Sequence, residues 1–543
     1  MRSLEHEGVT TLFGYPGGAI MPVYDALYGY KDKLNHVLVR HEQGATHAAQ
    51  GYARVSGKVG VALVTSGPGA TNTITGIADA MMDSTPIVVI AGQVGASLLG
   101  SDAFQECDLV GVTQPISKWA YQIRRPEDVA WAVSRAFYIA KSGRPGPVVL
   151  DFAKNAQVGL VDYEPQGTDF IRSYVPVPKT DPWAIRQAAA LINNAKRPFI
   201  LVGQGVELGG AQEEVRQLIE RADIPAGCTL LGLSALPSDH PLNMGMLGMH
   251  GSLANIAVGM RFDDRITGKL STYARQAKKI HFEIDPSEVN KNVPVDVAVL
   301  GNCKQTLAQV LEQVKPNRHT EWIDSFGEHH EREKEAVIEP EIHPADGPIK
   351  MGEVVRKVTE MTGNKAVLVT DVGQNQMMAA RYFKFSEQRS IVTSGGMGTM
   401  GFGLPAAIGA TFGAPGRMVC LFLGDGGIQM TLQELGTIME QRSPVKIILL
   451  NNNYLGNVRQ WQEMFFGKRY SFTPMMNPDY NMIASAYGIP NRTVVEREDL
   501  AAAIQEMVDT DGPYLLQVAV IEEGRVLPMC CPGNDVDDMV LDY

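Results

Sequence analysis

Apolar and polar positions alternate along this chain in blocks. Short apolar runs at Val37 to Val39, Val59 to Thr65 and Ile87 to Ala91 are separated by stretches with apolar residues at helical spacing. Apolar runs of that length, bounded by glycine and polar residues, are the mark of buried parallel strands, with the helical stretches as crossovers. The pattern recurs from Pro198 to Val202 through His281 to Asp285. It recurs again from Ala366 to Thr370 through Val419 to Leu423 and Val445 to Leu450. The expectation is an α/β protein of three doubly wound parallel-sheet domains, at 1–160, 183–315 and 347–530, followed by a tail at 531–543. Residues 156–182, with Pro165, Pro176, Pro178 and Pro182, read as an interdomain linker. Residues 316–345, rich in histidine and glutamate, read as a solvated helix and linker, and the spacing of their histidines supports no metal site.

The stretch from Met418 to Trp461 concentrates the chemistry. The run Val419 to Leu423 stops at Gly424-Asp425-Gly426-Gly427. A helical pattern with Ile428, Leu432, Leu435 and Ile438 follows, and a second run, Val445 to Leu450, ends in Asn451-Asn452-Asn453. Such a βαβ unit brings both strand ends to one edge of the sheet, so Asp425 and Asn452 converge across 27 positions. A carboxylate, an amide oxygen and the backbone carbonyl of Tyr454 are hard oxygen ligands suited to Mg2+, which keeps other positions for water and phosphate. Gly426 and Gly427 let a diphosphate come close, and the helix start behind them favours negative charge. The plainer alternative is that Asp425 caps a helix and Asn452 sits in a turn. The second strand and the asparagine triplet weigh against it.

Composition narrows the classes. A chain of 543 residues exceeds one core. It has no apolar run long enough for a membrane span, and its first residues lack the apolar core of a signal peptide. The net charge of −12 gives no electrostatic reason to bind nucleic acid. The six cysteines are scattered without metal or redox spacing, so reduced thiols in the cytosol are expected.

Gly-Asp-Gly followed by the paired asparagines resembles the thiamine-diphosphate motif. Six further blocks stand in one order: Gly14 to Ala19, Arg40 to Ala45, Thr65 to Asn72, Arg261 to Arg265, Gly398 to Gly401 and Val458 to Trp461. Together they resemble the catalytic subunit of acetohydroxyacid synthase, also called acetolactate synthase, over nearly the whole chain. Met1 to Gly8 supply only part of that family's first helix, so the expectation is either a shortened start or a trimmed one.

The resemblance implies thiamine diphosphate held through Mg2+ by Asp425, Asn452 and Tyr454, with Gly424, Gly426, Gly427, Gln374 and Asn375 at the diphosphate. Asn375 stands where the family usually has histidine. Glu42 is implied as the catalytic glutamate at the aminopyrimidine ring. Tyr15, Pro16, Gly17 and Gly18 present backbone near the reacting centre, Gly398 offers a carbonyl, and Met400 wedges between the cofactor's rings. Phe104 and Gln105 match a pair near the substrate. Lys154 keeps a family lysine although its neighbours Ala153 and Asn155 differ. Arg265 is implied to hold the carboxylate of the second 2-oxoacid, with Val458 and Trp461 beside it and Asn457 replacing a common methionine. The reaction implied is decarboxylation of pyruvate and transfer of the hydroxyethyl group to pyruvate or 2-oxobutyrate, for branched-chain amino-acid synthesis.

In the middle domain the resemblance implies a non-redox FAD, through Gly203, Gly205, the Arg261 to Arg265 block and Asp285. One departure stands there. Between Gly251 and Arg261 the chain has nine residues where the family has both a helix and a strand, so the expectation is that the central strand is lost or residues are missing. That departure keeps open an FAD-free catabolic synthase, another decarboxylase or oxidase of the same cofactor, or an inactive homologue acting as a binding subunit. The resemblance further implies a homodimer or homotetramer with sites between subunits, a small regulatory subunit as a further partner, and a tail from Val526 that orders over the site.

Overall fold

Wholly buried strands such as β3 (Gly60–Val64) and β4 (Ile87–Gln93) lie at the middle of the first sheet, as continuous apolar runs require. Around them stand β1 (Thr11–Gly14), β2 (Asn35–Leu38), β5 (Trp119–Ile123) and β6 (Val148–Ala153), in the order β2-β1-β3-β4-β6-β5. The computed structural model describes residues 1–251, 257–258, 260–531, 533–535 and 538–542. The second sheet runs β12-β11-β10-β7-β8-β9, from β7 (Ile200–Val202), β8 (Ala226–Cys228), β9 (Asn243–Met246), β10 (Ala257–Val258), β11 (Ile280–Glu283) and β12 (Val297–Leu300). The third runs β14-β13-β15-β16-β18-β17, from β13 (Val367–Thr370), β14 (Ile391–Val392), β15 (Val419–Gly424), β16 (Val445–Asn451), β17 (Asn491–Val494) and β18 (Tyr514–Ala519). All pairings in the three sheets are parallel, with helices between the strands, so the doubly wound α/β class holds three times over.

The expectation of a lost central strand is corrected. β10 pairs with β7 through Ala257 and Val258 and with β11 through the same two residues, so the second sheet closes. Two residues suffice because a parallel ladder uses backbone groups, whatever the length of the approach. Residues 252–256 and 259, which belong to the shortened segment, lie outside the described residues.

Two other expectations change. The helical pattern after Asp425 is not one helix: Asp425–Met430 and Leu435–Gln441 are separated by the tight turn Leu432–Glu434. Thr431 leaves helical geometry and donates its hydroxyl to the carbonyl of Gly401 at 3.1 Å, so a tertiary contact overrides the periodicity. The stretch 316–345 is also more than a solvated linker. Its helix Thr320–Glu333 is fastened by the Trp322 indole to the carbonyl of Pro198 at 2.7 Å and by Glu333 to the buried Arg381 at 2.5 Å. Among the described residues, no helix is long and apolar enough to cross a membrane.

The first and third sheets are joined inside one chain by two helices, Glu42–Ser56 and Gly403–Gly413. They cross at small residues: a Cβ on Gly51 would overlap the carbonyl oxygen of Ala406, and one on Gly409 would overlap that of Ala48. Alanine and glycine thus set the spacing of the two domains that carry Glu42 and Asp425.

Candidate active site

β15 and β16 are neighbours in register, with Gly424 opposite Leu450, so the residues that follow them meet at the carboxyl edge of the third sheet. Asp425 is buried there. Its Oδ2 accepts the side-chain amide of Asn477 at 2.6 Å, and the Tyr480 hydroxyl donates to its backbone carbonyl at 3.0 Å. Burial pushes the Asp425 carboxyl up to about 6, against the opposing pull of Asn477. Asn452 is buried beside it, donating to Gln374 Oε1 at 3.3 Å while its own Oδ1 accepts the amide of Tyr454 at 3.3 Å. Asn453 takes φ 57°, the left-handed turn that swings Tyr454 back toward the strand ends.

The glycines of this turn let neighbouring protein atoms pack closely against its backbone. A Cβ on Gly426 would come within 2.7 Å of Leu455 Cδ2 and 3.5 Å of Met400 Cε, so Met400 stands beside this turn. A Cβ on Gly427 would press on Asp371 Oδ1 at 2.5 Å. Asp371 in turn accepts the amides of Gly401 and Gly403, at 3.0 and 2.9 Å to Oδ2, which fixes the loop that carries Gly398 and Met400. Asn375 is buried facing Gly424, and its Oδ1 has no hydrogen-bond partner among the described residues. Among the described residues no three His, Cys, Asp or Glu side chains converge as ligands. The candidate cation site is instead one carboxylate with amide and carbonyl oxygens, the donor set of a hard ion that keeps part of its own shell.

Glu42 opens the helix Glu42–Ser56, whose N-cap His41 accepts the amide of Gln43 at 3.1 Å. Asn72 donates to Glu42 Oε2 at 2.9 Å. Gly17 packs against Thr65, Gly18 faces open space, and Tyr15 is partly exposed. Gln105 adopts φ 60° with its backbone against Gly67, while Phe104 is 88% exposed. Lys154 is exposed at the start of the helix Lys154–Val158.

A cavity of about 830 Å3 runs from the carboxyl ends of the second sheet to the third domain. Gly205, Arg265, Gly398, Val458 and Trp461 all line it, so four separate stretches of sequence meet around one cavity. Arg265 lines it with its guanidinium 3.5 Å from Met249 Sδ and 3.8 Å from Asp264. Gly203 and Asp285 do not line the cavity. Asp285 caps the turn Pro286–Glu288 and lies 3.5 Å from Arg144, whereas Glu283 and Glu288 are wall residues. Glu42, Phe104, Gln105 and Lys154 are not among its walls either. Asp425, Asn452, Tyr454 and Met400 do not line it either, so the cavity is distinct from both the Glu42 group and the candidate cation site.

Asn477 and Tyr480 went unnoticed in the sequence. Asn477 opens Asn-Pro-Asp, which reads as an ordinary turn, and nothing local ties it to Asp425 more than 50 positions earlier. The tail does order, through the paired β19 (Met529–Cys530) and β20 (Met539–Val540), the Cys530 amide donating to Met249 at 2.7 Å and Val526 to Gln460 Oε1 at 3.0 Å. Tail residues 532, 536, 537 and 543 lie outside the described residues.

Comparison with known proteins agrees with this layout. Three family descriptions match: the thiamine pyrophosphate enzyme N-terminal TPP binding domain at residues 1–112, its central domain at 185–310 and its C-terminal TPP binding domain at 371–518. The acetolactate synthase isozyme 2 large subunit of Escherichia coli is 43% identical, across 99% of this chain and 98% of that protein. The acetolactate synthase large subunit of Lactococcus lactis is 41% identical across 99% and 95%, and that of Parasynechococcus marenigrum 44% identical across 99% and 90%.

Proposed function

This chain belongs to the thiamine pyrophosphate enzymes, within them to the acetolactate synthase large subunits, and we propose that it carries out their reaction at a site shared between two copies. The reaction decarboxylates pyruvate and joins the two-carbon unit to a second 2-oxoacid, pyruvate or 2-oxobutyrate, as the first common step toward valine, leucine and isoleucine. When bound, thiamine diphosphate supplies the carbon nucleophile and the electron sink for loss of CO2. The observation that carries the reading is the meeting of Asp425 and Asn452 at adjacent strand ends beside the loop of Gly398 and Met400.

Asp425, Asn452 and the carbonyl of Tyr454 would hold Mg2+, and a buried carboxylate answered by side-chain and backbone amides, with no cationic side chain hydrogen-bonded to it among the described residues, fits a cation there. The turn of Gly424, Gly426 and Gly427 would meet the diphosphate through its backbone, with Asn375, whose side-chain amide lies near Gly424, able to donate to it, and Gln374, whose amide already donates to Gln460 and Gly524, would support the turn from behind. Glu42 would meet the aminopyrimidine through Oε1, since Asn72 engages Oε2. Tyr15 to Gly18 would line that approach, with Phe104, Gln105 and Lys154 as its outer residues. Arg265 would clasp the carboxylate of the second acid, while Val458 and Trp461 cover its alkyl group.

Apolar surface left exposed by a single chain supports the shared site. Phe104 at 88% exposure and Phe472 and Met476 at 97% are large apolar side chains left uncovered by a single chain, as surfaces that meet a second copy are. A homodimer or homotetramer follows from this reading, with a small regulatory subunit as a further partner, since the relatives are named large subunits. The second-domain cavity, with Gln204 and Gly205 on its wall beside a closed sheet, suits FAD in a structural role. This reading places the enzyme in the cytoplasm. Purified protein given pyruvate, thiamine diphosphate and Mg2+, with and without FAD, tests it. FAD-dependent acetolactate that is lost in Glu42→Gln is the expected result, and absence of acetolactate in every condition overturns it.

A further inference from the structure

The loop 394–401, which presents Gly398 and Met400, is gripped from outside its own domain. Helix Ile74–Met82 of the first domain carries Asp79, and Asp83 is its C-cap. Asp79 Oδ1 accepts the hydroxyl of Thr399 at 2.8 Å and also that of Ser394. Asp83 accepts the amides of Gly395 and Gly396 at 2.8 and 2.7 Å, one on each carboxylate oxygen. Arg54, from the helix that begins at Glu42, donates to Asp83 at 2.7 Å and to the carbonyl of Thr393 at 2.5 Å. The far end of the loop is tied to Asp371 through Gly401. The loop is therefore pinned at both ends, with Gly398 on the cavity wall between them.

Helix stability does not explain these acids. Two carboxylates four residues apart on one helix repel, and Asp83 sits at the end where the helix dipole is negative. Both are buried, and Asp79 Oδ2 has no hydrogen-bond partner among the described residues. Burial, with Asp83 beside it, raises the Asp79 carboxyl to about 6. What offsets these penalties is Arg54 and the loop that the acids hold.

We propose that Asp79 and Asp83 are positioning residues for the reaction, setting the backbone of 394–401 so that Gly398 and Met400 stand ready for the cofactor's pyrimidine before it binds. The inference rests on the reading of Gly398 and Met400 as cofactor contacts. It makes the first domain act twice: through Glu42 on one site, and through Asp79 and Asp83 on the loop of its own chain.

The test compares the full-length protein with Asp79→Ala, Asp79→Asn, Asp83→Asn and Thr399→Val. Amide hydrogen exchange of 394–401 is read without cofactor, then the dissociation constant of thiamine diphosphate with Mg2+ and the KM for pyruvate at saturating cofactor. In Asp79→Ala, Asp83→Asn and Thr399→Val, exchange in the loop quickens and cofactor affinity falls, by about tenfold for a lost hydrogen bond to a charged group, with little change in KM. Asp79→Asn, whose amide oxygen still accepts both hydroxyls, stays nearer wild type. A merely structural role would lower the unfolding midpoint while leaving loop exchange and cofactor affinity at wild-type values, and that result overturns the proposal. Should Asp79→Ala fail to fold, Thr399→Val, which deletes a single hydroxyl, decides in the same terms. Should the wild type bind no thiamine diphosphate, the functional reading falls, and loop exchange alone judges the positioning: faster supports it, unchanged overturns it.

Discussion

Asn477 donates its side-chain amide to Oδ2 of Asp425 at 2.6 Å, and the same nitrogen lies 3.2 Å from Asn451 Oδ1 and 3.1 Å from Asn453 Oδ1. One amide thus ties the carboxylate after β15 to the asparagines at the end of β16. Groups that orient a metal ligand are worth about 10- to 100-fold in metal affinity. Asn477→Ala is expected to weaken Mg2+ binding by about that range while the protein stays folded, measured by titrating Mg2+ at fixed thiamine diphosphate. Unchanged Mg2+ affinity would remove Asn477 from the account.

Arg265 reaches the cavity wall with its guanidinium engaged, among the described residues, by Met249 and, distantly, by Asp264. Loss of a charge-assisted contact to a substrate carboxylate corresponds to roughly 1.5 to 3 kcal/mol. Arg265→Ala should therefore retain cofactor binding and CO2 release from pyruvate, while condensation with the second acid falls at least about tenfold. A parallel assay of CO2 and acetolactate separates the two steps, and equal losses in both would count against the assignment.

Glu434 provides a pH dependence outside the metal site. Burial raises its carboxyl to about 7, against hydrogen bonds from Thr437 and the Arg40 backbone. Its folded pKa thus lies above the ordinary carboxylate value. The stability from its protonated form is complete below about 4.5 and is lost as pH rises through about 7, a change of up to roughly 3 kcal/mol. Glu434→Gln cannot ionise, so its thermal unfolding midpoint should vary less between pH 5 and 8 than that of the wild type, which loses stability as pH rises. Parallel pH profiles would refute this.

The crossing of helices Glu42–Ser56 and Gly403–Gly413 leaves no space for a methyl at Gly409. Gly409→Ala must push Ala48 and the first domain away from the third, and overpacking of this kind destabilises by about 1 to 3 kcal/mol or more. A lowered unfolding midpoint together with weaker cofactor binding is expected. A variant as stable as the wild type would show that the two helices shift freely.

The parts of this site legible in the sequence were those that strand order dictates. Asp425 and Asn452 follow apolar runs whose parallel pairing leaves their ends adjacent, whatever the helix between them does. That intervening helix was misread because Leu432 and Leu435 keep helical spacing while Thr431 is drawn to Gly401, a partner 30 positions away. The short segment after Gly251 implies either a lost central strand in the second sheet or missing residues. Backbone pairing at Ala257 and Val258 needs no such length. Nothing in the sequence marks Asp79 and Asp83, since only packing shows that Asp79 faces Ser394 and Thr399, and Asp83 the Gly395 and Gly396 amides, of another domain.

The most direct test of a site shared between copies is complementation. Glu42→Gln and Asp425→Ala proteins are each expected to make no acetolactate. Mixed, dissociated and reassociated, they form dimers in which one of two sites joins an intact Glu42 to an intact Asp425, so random pairing restores about a quarter of wild-type activity in a two-fold dimer. Recovery near that level is the predicted result. No recovery, with mixed dimers shown to have formed, would mean that Glu42 and Asp425 serve one site within a single chain and would contradict the account.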